Sequence, residues 1–375
     1  MRSSLAGLLM AAAAWAQEAR LDVRSSVKID LPADSPVALI SANMGESRAS
    51  ARGGAMMLDL NMQLMLRNVG GRSIRGLTLL VQAQEVTPGG RASATQTSLD
   101  VVPGATFPVA IDVRLLRPLD NSGGPLVEVA LDGLLFDDLN FYGPNRLESR
   151  RALTAWELEA QRDRKHFKAV LAAEGPEGLQ RRMLDSLARQ EERPRIDVVV
   201  ARGQAVGSAA VAERRARFAF LKLPEAPVEL LAGSAEIAGN QARAPRIEVR
   251  NVSPRPVRHV EVGWIVRDRE GREFLAGSLA AWRSELLQPG ETGERPQPTA
   301  LRFSRDQGGP VRLEGMTGFV SQVEYGDGSV WVPGRAAIES ARLARLLAPS
   351  PEEQRLTNLY RSRGLKALIE ELKKF

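Results

Sequence analysis

The sequence predicts a mainly β protein made of two tandem antiparallel β-sandwich units, each followed by amphipathic helices. Three observations carry this expectation. The chain repeats itself: Arg67-Asn68-Val69, followed by Arg72, Ile74, Leu77, Leu79 and Val81, returns as Arg250-Asn251-Val252, followed by Arg255, Val257, Val260, Val262 and Trp264. Apolar residues alternate over short runs, as in Leu58, Leu60, Met62, Leu64 and Leu66, which is the period of a half-buried strand. Turn residues break these runs at matching places. Val102-Pro103-Gly104 answers Gln288-Pro289-Gly290, and Gly123-Gly124-Pro125 answers Gly308-Gly309-Pro310.

Residues 1–16 read as a secretory signal peptide, with Arg2 at its start, an apolar stretch from Leu5 to Ala14 and an Ala14-Trp15-Ala16 cleavage signature. The stretch is too short to span a bilayer, which takes roughly 20 apolar residues. No second such stretch follows, so the expectation is an exported protein, periplasmic or extracellular, without a transmembrane segment. The first sandwich is expected over 17–144 and opens on Val27 to Leu31 before Pro32. The second is expected over 194–334 and opens on Phe220 to Leu223 before Pro224. Asn68 and Asn251 each end a strand just before turn residues, Gly70-Gly71 and Ser253-Pro254.

A second alternating strand follows in both copies, Leu77, Leu79, Val81 and Val260, Val262, Ile265. Asp268 to Gly271 then reads as a hairpin turn, where the first copy has Pro88-Gly89-Gly90. Asp327-Gly328 between Val323 and Val330 is another hairpin signal, answered by Phe136-Asp137-Asp138. Pro144 and Pro333 stop the sheets. A helical connector is expected over 145–193, with Leu179, Met183, Leu184 and Leu187 on one face after Pro176-Glu177. C-terminal helices are expected over 335–375, where Ser350-Pro351-Glu352-Glu353 combines an N-cap, a first-turn proline and first-turn acids. A boundary falls near Glu192-Arg193-Pro194, and the segment 203–219 receives no assignment.

At 375 residues the chain is long enough for two units with their own cores. It has no cysteine, which excludes disulfides, a lipobox-type anchor, a thiolate zinc site and a thiol nucleophile. The net charge is +6, and lysine stands only at 28, 165, 168, 222, 366, 373 and 374, so the remaining cations are arginines. They are interspersed with 45 acids, a solvated mixed surface and not a nucleic-acid footprint.

The run Ile247-Glu248-Val249-Arg250-Asn251-Val252-Ser253, with Val257, Val260, Val262 and Asp268 to Gly271, resembles the strand–turn–strand pattern of secreted bacterial immunoglobulin-like modules, those of the FxLYD type included. The resemblance covers about one third of each repeat. It implies an immunoglobulin-like β-sandwich used for envelope or surface interactions and carries over no catalytic residue. Neither copy has the Phe-x-Leu-Tyr-Asp string itself.

Little in the sequence points to chemistry. His166 falls among Arg164, Lys165 and Lys168 on a predicted helix face, and His259 answers Gly76 in the other copy, so no Ser-His-Asp set is proposed. Asp137, Asp138 and Asn140, or Glu324 and Asp327, offer oxygen ligands for calcium but lack an EF-hand spacing and read as turns. No phosphate loop and no cofactor signature is present. The expectation is a non-enzymatic interaction or structural protein of the envelope, binding a protein partner through sandwich or helix faces. The alternative is a module for a carbohydrate or an anionic ligand such as an anionic polysaccharide, with Arg255, Arg258 and Trp282 as candidate binding residues. A hydrolase with an unrecognised carboxylate site comes third.

Overall fold

The structure, a computed structural model, describes residues 19–20, 26–52, 54–84, 89–118, 125–192, 196–201, 214–283, 285–296, 300–305, 310–341 and 343–375. The signal-peptide reading of 1–16, Pro88, the Gly123-Gly124 and Gly308-Gly309 turns, Arg193-Pro194 and most of 203–219 lie outside the described residues. The fold is mainly β and sandwich-like, and the chain divides into compact units 1–150 and 151–375. The division falls between Arg150 and Arg151, not near Pro194, because the long helix after the first sheets packs with the C-terminal helix.

The first unit contains β1 (Ala19–Arg20), β2 (Val27–Asp30), β3 (Val37–Asn43), β4 (Arg48–Arg52), β5 (Ala55–Asn68), β6 (Ile74–Gln82), β7 (Arg91–Gln96), β8 (Thr106–Pro118), β9 (Val127–Phe136) and β10 (Phe141–Tyr142). One sheet is organised by β5, with β8 along one edge and β3 and β4 along the other. The second sheet runs β7-β6-β9, and β2 and β10 both pair with β9, β2 in parallel. The alternation in β5 turns Leu58, Leu60, Met62, Leu64 and Leu66 inward, where they share one core with Leu77, Leu79, Val129 and Leu131 of the second sheet.

The second unit takes up α1 (Ser149–Glu192), which starts at the unit boundary. It continues with β11 (Ile196–Ala201), β12 (Arg214–Arg217), β13 (Ala219–Phe220), β14 (Val228–Ala238), β15 (Gln241–Asn251), β16 (Val257–Asp268), β17 (Glu273–Trp282), β18 (Thr292–Pro296), β19 (Ala300–Arg305), β20 (Leu313–Tyr325) and β21 (Val330–Trp331). It ends with α2 (Arg335–Ser340), a 3-10 turn (Leu343–Arg345) and α3 (Pro351–Lys373). Its sheets repeat the plan of the first: β15 stands where β5 does, with β14 on one edge and β18 and β19 on the other. β16, β17 and β20 take the places of β6, β7 and β9, and β13 pairs with β20 in parallel as β2 does with β9.

The repeat extends to individual hydrogen bonds. Asn68 is wholly buried; its Nδ2 donates to the Arg72 carbonyl at 2.8 Å and the Val101 carbonyl at 2.9 Å, and its Oδ1 accepts from Gly70 N at 3.0 Å. Asn251 is equally buried and donates to Arg255 O at 2.8 Å and Leu287 O at 2.9 Å, while accepting from Ser253 N at 3.0 Å. In each copy one side chain ties a strand end to the two turns that pass the chain between the sheets. Asparagine is suited to this because it brings two donors and an acceptor on one short planar group.

The helices form their own small core inside the second unit. Phe167, Val170, Leu179 and Met183 of α1 pack with Leu356, Leu368 and Leu372 of α3. Both helices break at a glycine, Gly175 (φ 71°, ψ −171°) and Gly364 (φ 77°, ψ 179°), a backbone region open essentially only to glycine. The start predicted at Pro176 is the second arm of α1. Ile338 and Leu343 cover Ile265 and Phe319 on the outer face of the β16–β20 sheet, with Trp331 against the same cluster.

Replacing either corner asparagine by alanine leaves two buried carbonyls without their donor, so each of Asn68→Ala and Asn251→Ala should cost about 3 kcal/mol. Trp156, Trp264, Trp282 and Trp331 all lie in the second unit. Urea unfolding followed by tryptophan fluorescence should therefore shift for Asn251→Ala and stay put for Asn68→Ala, whose loss shows in circular dichroism.

Candidate functional site

The structure brings two of the three candidate residues together and separates the third. Arg255 lies over the Tyr325 ring at 3.9 Å and donates to Asp327 Oδ2 and Ser329 Oγ, both at 2.5 Å. Arg258 donates to the Gly326 carbonyl of the same β20–β21 hairpin at 2.9 Å. Arg72 repeats the Arg255 clamp in the first unit, 4.1 Å over Phe136 and 3.0 Å from Asp138. Both arginines of the second unit are thus engaged in holding a turn. The Asp327 carboxyl is held below its usual range, first by the Ser329 backbone and hydroxyl and then by Arg255. Asp138 likewise accepts from its own turn, at Asn140 N (3.0 Å) and Nδ2 (2.7 Å).

Trp282 is only 7% exposed, and its indole N–H donates to Glu285 O at 2.8 Å. Gly293 on β18 makes room for the ring, since a Cβ there would come within 2.3 Å of it. Trp282 therefore packs in the core and offers no open face to a sugar.

The two histidines are held in different ways. His259 is buried on β16, with its Nε2 against the Arg151 guanidinium and 3.7 Å from Glu261 Oε2. Arg151 also meets Glu261 at 3.3 Å, and Ser278 donates to Glu261 Oε1 at 2.5 Å. Burial pushes the Glu261 carboxyl up, but its bonds with His259 and Ser278 and the charge of Arg151 outweigh it and hold it below the ordinary value. The hydroxyl thus points to the acid and not to the imidazole, the reverse of what a nucleophile needs. His166 is half-buried beside Phe167, and burial together with the charge of Arg335 pushes its ring below the ordinary imidazole value. Among the described residues no three His, Asp or Glu side chains cluster as metal ligands would.

Where α1, α2 and α3 meet, Arg162, Arg189, Arg335, Ser350 and Glu353 line a cavity of about 40 Å³, the room of roughly one water. Its charges are largely spoken for: Arg335 meets Glu353 at 3.2 Å and Asp163 at 3.6 Å, and Ser350 donates to Asp163 at 2.7 Å.

The open site is elsewhere, on the outer face of the β12-β14-β15-β18 sheet. There Arg215, Arg217, Leu231, Ser234, Arg246, Glu248 and Glu294 line a groove of about 670 Å³. Register sets the arrangement: Arg217 on β12 stands opposite Ser234 on β14, which stands opposite Arg246 on β15. Directly opposed side chains have Cβ atoms about 5 Å apart, so two guanidiniums flank one small hydroxyl. Arg215 reaches the same hydroxyl at 3.4 Å. In the next row Glu248 stands opposite Glu294. This groove is not legible in the sequence, because Arg214 to Arg217 lies in a segment without strand alternation.

No family model matches the chain, and no curated protein matches it. Among solved structures, 76% of the chain is similar to 31% of a red sea bream transglutaminase at 10% identity, with a TM-score of 0.13. Likewise 72% of the chain is similar to 45% of a β-glucosidase from Kluyveromyces marxianus at 11% identity, with a TM-score of 0.15. The chain thus spans less than half the length of either enzyme, and likeness at this level carries no argument about its fold or activity.

Glu159 of α1 provides a pH test of the charges around Glu261. Burial raises its carboxyl first, helped by Asp163 and Glu261 and opposed by Arg162. A folded-state pKa above the unfolded one gives stability that is present at low pH and lost as pH rises through the folded value. Glu159→Gln should therefore raise the thermal midpoint at pH 7, and the gain should vanish near pH 4. A midpoint shift of equal size at both pH values would show that charge is not the cause.

Proposed function

We propose that the chain is an exported, non-enzymatic interaction protein of the bacterial envelope, whose sandwiches are immunoglobulin-like and bind a protein partner. The observation that carries this reading is an apolar bulge shared by both copies. In β3 the register slips between Leu39 and Ser41, and in β14 between Leu230 and Ala232. The residue pushed out in each case is aliphatic, Ile40 at 55% exposure and Leu231 at 38%. Val37 opposite Asn68 and Val228 opposite Asn251 fix the two bulges at the same place in the repeat. A single exposed apolar residue is ordinary on a protein surface. The same one kept at the same bulge, where neighbouring surface positions differ, favours a contact role. Bulges of this kind re-aim side chains at sheet edges.

The leader-like residues 1–16 support export. The polar groups best placed for chemistry support a role without catalysis, since His259, Glu261 and Ser278 are tied to one another. The second reading, an anionic or carbohydrate ligand, is favoured by the Arg217–Ser234–Arg246 row and not by Trp282.

The test compares affinity capture from native envelope extract by the full chain and by an Ile40→Asp/Leu231→Asp variant. Both substitutions are at exposed sites and should leave the thermal midpoint within about 1 kcal/mol of stability. A partner retained by the parent chain and lost by the variant is the expected result. Identical capture by both would remove the bulge from the interface.

A further inference from the structure

We propose that the groove on the β12-β14-β15-β18 face binds an oxyanion, a carboxylate or sulfate carried on a small polar ligand, between Arg217 and Arg246 over Ser234. Like charges gathered on one sheet face repel each other, and an anion seated between them relieves that repulsion. Neighbouring arginines on the same strands have an acid: Arg250 meets Glu229 at 2.5 Å and Arg214 meets Glu314 at 3.8 Å. Arg217 and Arg246 meet no carboxylate among the described residues within salt-bridge distance, and Arg215 bonds only the serine hydroxyl between them. Three guanidiniums thus line one groove around a single hydroxyl, with Arg217 and Arg246 bonded to no carboxylate among the described residues, and the fork of a guanidinium matches a planar or tetrahedral oxyanion.

The acids around the spot limit what fits. Glu236 faces Arg215 across β12 and β14, and Glu248 and Glu294 form a negative row beyond Arg246. A polyanion laid along the groove would run into that row, whereas one oxyanion over Ser234 would not. Leu231 lines the same groove and offers an apolar contact to the body of the ligand. The equivalent row of the first unit is Asn43 opposite Gln63, which carries no charge. The site therefore belongs to the second copy alone. It does not rest on the protein-partner reading, because free small anions probe it.

Calorimetric titration of the full chain at constant ionic strength tests it, with sodium sulfate, glucuronate and glucose as probes and chloride as the balancing anion. Sulfate or glucuronate should bind saturably in the millimolar range, and the preferred one identifies the group as sulfate or carboxylate. Arg217→Gln/Arg246→Gln should weaken binding about tenfold or more, Arg217→Lys/Arg246→Lys should lose less, and Arg91→Gln in the first unit should change nothing. Equal binding by parent and Gln variant, no saturation by either anion, or glucose bound as well as glucuronate would each overturn the assignment. All three positions are exposed, so unchanged thermal midpoints will show that the variants are folded. Loss of capture by Ile40→Asp alone, a substitution in the first unit, with anion binding intact separates the two readings.

Discussion

The buried asparagine at the end of the central strand is the constraint on which both units depend. A sandwich must pass its chain from one sheet to the other without leaving backbone groups unpaired in the crossing. At Asn68 the backbone donates to Ala105 O at 2.9 Å and accepts from Gly104 N at 2.8 Å, while the side chain closes the turn before β6 and the one before β8. At Asn251 the same bonds run to Glu291 O and from Gly290 N, at 3.0 and 2.8 Å. Aspartate would present two acceptors to two carbonyls, and serine is too short to reach both. An unmatched polar group at this depth costs more than an ordinary hydrogen bond gains. The register of β5 against β8, and of β15 against β18, follows from that one residue.

Arginine, in place of lysine, suits the way the remaining charges are used. Arg72 and Arg255 each lay a flat guanidinium on an aromatic ring while donating sideways to a hairpin aspartate, a double contact that an ammonium cannot make. In the helical core the same property lets Arg164 meet both Glu157 at 2.5 Å and Glu352 at 3.4 Å with almost no exposure. Buried pairs of this sort add little net stability, because desolvation offsets the attraction. They do link α1 to α3, since Arg164 of one helix reaches Glu352 of the other.

The repeated scaffold was legible in the sequence because its signals are local. Strand alternation in Leu58 to Leu66, Pro-Gly turns at 103–104 and 289–290 and the Asp327-Gly328 hairpin each need only a few neighbouring residues to be recognised. The association of the two helices was not legible. A leucine stripe on α1 shows that one face is buried but not which surface covers it, and so the connector could be read as an appendix of the first repeat. Trp282 misled for a related reason: the space that takes its ring is provided by Gly293, a position that looks like a turn residue in sequence. The arginine groove could not be read at all, since Arg217, Ser234 and Arg246 are joined only by strand pairing.

The duplication gives a physical reason to look for function where the copies differ. Asn43 opposite Gln63 and Ser234 opposite Arg246 occupy the same rungs of the same ladder, one rung set neutral and the other charged. Side chains there point to solvent and bear no load on the core, so drift in charge is tolerated without loss of the fold. Positions that hold the turns and strand ends are not free in this way, and they agree between copies in kind: asparagine at the corner, arginine over an aromatic ring, a slipped register after the first residues of the neighbouring strand. The exposed bulge residue sits between the two classes. It is outside the core yet stays aliphatic, as Ile40 and Leu231, although the rungs beside it changed from neutral to charged. Packing within the chain does not require that persistence, whereas a surface that both copies present to something else would.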